Sequence, residues 1–244
     1  MRIVDAGATA RVDEIAEDIY RISTPVPPGA LHPDGFSYNQ FLIVDDEPLL
    51  HHTGKVGMFS LVRRAIEAVI PITRLRWLSF GHVEADECGA FPAIASAAPH
   101  ARHLCGEMQA VLAEVNELSD RRPEVLADGE SRSLGKHRVS WIDAPRVPHA
   151  WDNGFVFEST TRTLFVGDLF AQAGADNPPV TERDILGPAE ALRCRVDYFS
   201  HDRGTRKVIE RLAGIRPELV ACMHGSAFRG DCGELLQRLA DTVG

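Results

Sequence analysis

Apolar and polar positions along the chain sort into short alternating runs and a few stretches with helical spacing. DIYRIST (18–24) alternates like a strand, and YNQFLIV (38–44) with PLLHH (48–52) predicts a hairpin around Asp45, Asp46 and Glu47. Residues 59–70 carry Leu61, Ile66 and Ile70 at helical spacing. RLRWLSF (74–80) predicts a strand, residues 88–98 a helix, ARHLC (101–105) a short strand, and GEMQAVLAEVNEL (106–118) an amphipathic helix. HRVSWIDA, GFVFEST and TRTLFVGD predict strands, the last two joined by a short turn. GTRKVIERLAGI predicts a helix, ELVACMHG a strand, and DCGELLQRLADTV a terminal helix. Pro25, Pro27, Pro28 and Pro33 make residues 24–35 a loop, too short and too early to link domains. The order is strands, interleaved helices, strands again, then helix–strand–helix. It predicts two packed sheets with helices outside.

Composition narrows the class. The 244 residues are 44% apolar and 25% charged, enough for an ordinary core. A net charge of −9 argues against a nucleic-acid partner, which needs a basic face. The five cysteines are odd in number and include no C-x-x-C pair, which predicts reduced thiols and a cytoplasmic location. No run reaches the ~18 apolar residues of a membrane helix. The acidic first eighteen residues contain no apolar core of a signal peptide.

The chemistry concentrates at strand ends. FGHVEADECGAFP sets His82, Glu84, Asp86 and Glu87 together directly after an apolar run. In an extended loop, alternate side chains point the same way, so the first three could converge. An acidic turn capping the following helix is the plain alternative. His149 in APRVPHAWDN, Asp168 in LFVGDLF and His224 in LVACMHG also lie at or between strand ends. Each alone reads as a structural histidine or turn former. Four such places in one chain point to a metal centre. G-x-S-x-G, P-loop and GxGxxG patterns are absent from the sequence.

The spacing His82-x-Glu84-x-Asp86, then His149, Asp168 and His224-Gly225, resembles the metallo-β-lactamase superfamily. Within it the chain is most similar to the diiron, oxygen-binding branch of the flavodiiron proteins. Hydrolytic members read H-x-H-x-D-H and use zinc; the flavodiiron branch reads H-x-E-x-D-H and uses iron. Glu84 is the discriminating residue. The resemblance covers the chain from about residue 18 onward. It implies an α+β fold, a four-layer αβ/βα sandwich, as one domain over residues 1–244. It implies two iron ions, with zinc or manganese as alternatives. One ion would take His82, Glu84 and His149, the second Asp86 and His224, with Asp168 between them. Open positions would face dioxygen or nitric oxide. The chain ends soon after His224, so the flavodoxin domain of flavodiiron proteins is not expected. Electrons would then come from a separate flavoprotein or rubredoxin-like donor. A homodimer is left open. The chemistry of the donors agrees with the choice of iron: a carboxylate in place of an imidazole hardens the site, and zinc has no redox chemistry.

Two positions depart from the pattern. Glu87 stands where both branches carry histidine; it reads either as a ligand to the second metal or as a solvent-facing acid. HHTG (51–54) stands where the family carries DTG, which makes His52 a candidate substitute for an aspartate that orients a ligand. A metal-dependent hydrolase of an ester, lactone or thioester, and a non-catalytic oxygen sensor, are the alternative functions. Weaker candidates are His32, Tyr198 and His201 near the site, and Cys88 as a small buried residue. His100, His103 and His137 are expected at the surface.

Overall fold

The structure, a computed structural model, describes residues 10–243. The first nine residues, part of the acidic N-terminal segment read above, lie outside the described residues. The first half runs β1 (Arg11–Ala16), β2 (Ile19–Val26), β3 (Phe36–Ile43), β4 (Leu49–His51), α1 (Phe59–Glu67), β5 (Trp77–Ser79), α2 (Ala85–Cys88), α3 (Phe91–Ala97), β6 (Arg102–Cys105), α4 (Glu107–Val115) and β7 (Glu124–Val125). The second runs β8 (Ser131–Ser133), β9 (Arg138–Asp143), β10 (Gly154–Glu158), β11 (Thr163–Phe165), β12 (Val180–Thr181), α5 (Leu186–Arg195), α6 (Thr205–Ile215), β13 (Leu219–Ala221), β14 (Ala227–Arg229) and α7 (Cys232–Val243).

Each half forms one seven-stranded sheet, ordered β1-β2-β3-β4-β5-β6-β7 and β12-β14-β13-β11-β10-β9-β8. β1 to β4 are antiparallel, and β4 to β7 are parallel. In the second sheet β11 and β13 are parallel, with the β10–β9–β8 meander beside them.

Strand periodicity explains the layers. On β3, Phe41 and Ile43 join the apolar layer shared with Trp141, Val156 and Phe165 of the second sheet. Tyr38 and Leu42, on the opposite face, pack with Val62, Ile66, Phe91 and Ile94 of α1 and α3. The second sheet repeats this: Phe155, Leu164 and Val220 pack with Ile209, Leu212, Leu235 and Leu236 of α6 and α7. The result is the expected sandwich of helix, sheet, sheet and helix layers. Among the described residues no helix is long and apolar enough to cross a membrane.

Several local expectations differ from the structure. Pro25 does not end the second strand; β2 continues to Val26, with Pro25 opposite Ser37. The helix expected over 88–98 is two pieces, α2 and α3. Gly89 lies so close to the Ala85 carbonyl that a Cβ there would collide with it. His103 and His137 are buried, not at the surface. His103 stacks on Phe80 at 4.7 Å and meets Gln109 Oε1 at 3.2 Å; His137 Nδ1 lies 3.2 Å from the buried carboxylate of Glu158. His100 and His201 are exposed.

The parallel strands set where the site falls. β5, β11 and β13 deliver the His82, Asp168 and His224 loops to one end of the sandwich, and the β9–β10 loop brings His149 to the same end. The start of β3 is there too, and Asn39 N donates to the Met223 carbonyl across the two sheets at 2.9 Å.

Candidate metal centre

The buried β5 run stops at Gly81, and the chain turns with Glu84 N donating to the His82 carbonyl. Glu84 is extended and α2 begins at Ala85, so Asp86 sits in the first helical turn. His82 Nε2 lies 2.7 Å from Glu84 Oε2 and 3.0 Å from His149 Nε2. His149 Nε2 is 3.3 Å from both Glu84 Oε2 and Asp168 Oδ2, and Asp168 Oδ2 is 3.9 Å from His82 Nε2. These four donor atoms lie within 4.8 Å of one another. Asp168 turns its other oxygen the opposite way: Oδ1 is 3.1 Å from His224 Nε2, which is 3.6 Å from Asp86 Oδ2. Asp168 therefore stands between two groups, one at each oxygen.

The donor set fits cations. Two imidazole nitrogens 3.0 Å apart, each also within reach of carboxylate oxygens, converge on one point as the ligands of a shared cation do. A cation with bonds of about 2.1 Å holds neighbouring donors roughly 3 Å apart, which is the spacing observed. Glu84, Asp86 and Asp168 together also carry more negative charge than one cation neutralises.

Neighbouring residues fix the tautomers and the loops. His224 Nδ1 is 2.8 Å from the Ser37 carbonyl, which only accepts, so Nδ1 carries a proton and Nε2, facing Asp168, is the atom left for a cation. Asn39 Nδ2 donates to the Cys222 and Gly225 carbonyls at 2.9 Å each, and Arg21 Nη1 donates to the Gly225 carbonyl at 3.0 Å. Gly225 itself adopts φ 94°, a left-handed conformation that suits glycine. Val83 N donates to Asp152 Oδ2, and Gln109 Nε2 donates to the Phe80 and Gly81 carbonyls, bracketing the His82 loop from both sides. Asn153 Nδ2 closes the His149 loop on the Val147 carbonyl.

The electrostatics of the cluster are mutually reinforcing. Burial pushes His82 down, but Glu87, Glu84 and Asp168 outweigh it and raise the imidazole to about 10. His149 and His224 are raised in the same way, against burial, by their carboxylate neighbours. Glu84 is held well below the usual range by His149 and His82. Asp86 is raised, chiefly by burial. Such imidazoles hold protons that a cation must displace.

The structure thus brings His82, Glu84, His149 and Asp168 together, with Asp86 and His224 on the far oxygen of Asp168. Glu87 is fully buried, so its solvent-facing reading is overturned. Its carboxylate lies beneath His82, 3.4 Å from His82 Nδ1, with the buried His52 Nδ1 at 3.5 Å. A cavity of about 490 Å³ opens over the cluster, lined by Phe36, Tyr38, Lys55, Asp86 and Tyr198 among others. His32 lines it too, and Tyr198 donates to the Asp168 carbonyl at 3.3 Å. Cys88 is buried, with its thiol on the Glu84 carbonyl. Arg21, Asn39, Gln109, Asp152 and Asn153 were not singled out from the sequence. A polar residue inside the apolar runs of β2 and β3 was the available signal for Arg21 and Asn39.

A family model described as ODP family beta lactamase matches residues 36–225. The chain belongs to the ODP beta-lactamase family. The chain is 31% identical over 213 residues to a nitric oxide reductase of Moorella thermoacetica, covering 84% of this chain and 53% of that protein. It is 27% identical over 208 residues to a rubredoxin-oxygen oxidoreductase of Megalodesulfovibrio gigas, covering 82% of this chain and 51% of the other. The crystal structure of a flavoprotein from Thermotoga maritima superposes with a TM-score of 0.85 at 17% identity, covering 98% of this chain and 62% of that one. The chain spans about half the length of the curated relatives it matches. The resemblance to the flavodiiron branch of the metallo-β-lactamase superfamily, and the fold it implied, hold.

Proposed function

We propose that this chain is a non-haem diiron oxidoreductase unit that binds and reduces dioxygen or nitric oxide. The observation that carries the reading is Asp168, whose two carboxylate oxygens face separate clusters of donors. Its support from outside the chain is the pair of relatives named for oxygen and nitric oxide reduction. His82, Glu84 and His149 would hold one iron, Asp86 and His224 the other, with Asp168 shared. Two ferrous ions, when bound, supply two electrons to a small diatomic substrate. The chain's own residues do the rest. The carboxylates of Glu84, Asp86 and Asp168 would offset part of the added positive charge of a more oxidised pair. Phe36 packs on His224 with ring centroids 4.4 Å apart, which limits water on that side. Lys55 and Tyr38 are hydrogen-bonded to each other in the cavity wall, and the buried phenol, raised above its ordinary pKa, keeps its proton.

The electron donor in this proposal is a separate flavin- or rubredoxin-type protein docking over the cavity. The five free thiols, four of them buried, suit a reducing compartment, and a cytoplasmic location is part of the proposal. The test is spectroscopic. Iron-loaded, anaerobically reduced protein is mixed with dioxygen and, separately, with nitric oxide. A visible absorption change with either gas, lost in His149→Ala, supports the reading. No change with either gas in protein carrying two irons overturns it.

A further inference from the structure

We propose that the two metal positions are unequal, because Glu87 serves as a positioning residue behind His82 instead of a donor to the second position. The inference rests on the two-position reading above and concerns how each position is held. Glu87 Oε2 accepts from the backbone N–H groups of Gly81 at 2.8 Å and His82 at 2.7 Å. His52 Nδ1 lies 3.5 Å from the same oxygen. Glu87 Oε1 is 3.4 Å from His82 Nδ1, and both atoms are buried without another hydrogen-bond partner. That unmet pair is the natural place for an imidazole N–H to carboxylate bond, which leaves His82 Nε2 free for a cation.

The surroundings are shaped to keep the carboxylate there. A Cβ on Gly81 would come within 3.0 Å of Glu87 Oε2, and one on Gly167 within 3.4 Å of Oε1. Thr53 N and Oγ1 both bond the Glu87 carbonyl, fixing the backbone at the same point.

The consequence is a difference in donor number. The first position has two imidazoles and two carboxylates: His82, His149, Glu84 and Asp168 Oδ2. The second has one imidazole and two carboxylates: His224, Asp168 Oδ1 and Asp86. A cation there keeps more solvent ligands and exchanges more readily.

The test is an anaerobic calorimetric titration of the metal-free full chain with ferrous ion, backed by competition with a chelator. Two resolved steps are expected, the second weaker by about tenfold or more. Glu87→Gln should weaken the tight step roughly 10–100-fold and leave the weak step in place. Asp86→Asn should weaken only the second step. The wild-type titration and Asp86→Asn carry the test alone if Glu87→Gln does not fold. Two steps of equal affinity, or loss of only the weak step in Glu87→Gln, overturns the inference. Absence of binding, or binding unchanged in both His149→Ala and His224→Ala, overturns the two-position reading beneath it.

Discussion

Asn39 ties the first sheet to the His224 loop of the second, so Asn39→Ala measures how much the site depends on that tie. The side chain is fully buried and its amide donates to two carbonyls, Cys222 and Gly225, at 2.9 Å each. Each hydrogen bond is worth about 0.5–1.5 kcal/mol net, and an orphaned buried acceptor costs about 1–3 kcal/mol. The Gly225 carbonyl keeps its bond from Arg21, whereas the Cys222 carbonyl has no other partner among the side-chain donors described. The expected loss is therefore about 2 kcal/mol, the Cys222 carbonyl contributing most of it. Asn39→Asp should cost more, because an anion would face two carbonyl oxygens and the folded state would have to protonate it. The assay is urea denaturation of the metal-free protein at pH 7, read by tryptophan fluorescence and circular dichroism together. The same variant should also weaken ferrous binding in the step that depends on His224, since Ser37 and Asn39 share the strand face that holds His224 and Gly225. A stability change under about 0.5 kcal/mol would refute the reasoning, because it would mean the Cys222 carbonyl finds another partner at no cost.

Gly154→Ala should lose about 1–3 kcal/mol in the same assay, because an added Cβ would collide with the Trp141 indole in the layer between the sheets. Glu158 is fully buried beside His137, Thr160 and Thr161; burial alone would raise it, but those partners hold it at about 2. A depressed carboxylate contributes stability above its unfolded value of about 4.5 that fades as pH falls towards 2. Glu158→Gln should therefore be about 2 kcal/mol less stable than the wild type at pH 7, with the gap closing below pH 4 in denaturation measured across pH. Glu84→His should shift metal preference from iron towards zinc by about an order of magnitude, read by elemental analysis after loading from an equimolar mixture.

Most of the donor set was legible because each member interrupts an apolar run at its end, as His82 does after Trp77–Phe80 and His224 after Leu219–Met223. The two-sheet layering followed from strand order for the same reason. What was not legible depended on partners distant in sequence. His103 and His137 look like surface residues until Gln109 and Glu158 supply their contacts. Glu87 looks like an exposed helix-start acid because its partners are backbone N–H groups of a turn that no side-chain pattern reports. α5 escaped notice because only Leu186 and Ala189 of its ten residues are buried, too few for a helical stripe. β7 and β12 are two residues each, below the length at which alternation can be read.

The central claim is that Asp168 joins two cation positions built from this chain's own side chains. Anaerobic loading with ferrous ion, followed by desalting and iron analysis per chain, tests it directly. The account predicts that the wild type approaches two ions per chain, with most of the iron lost in Asp168→Ala. Wild-type protein that retains no more than one ion per chain, or Asp168→Ala protein that keeps as much iron as the wild type, would contradict it.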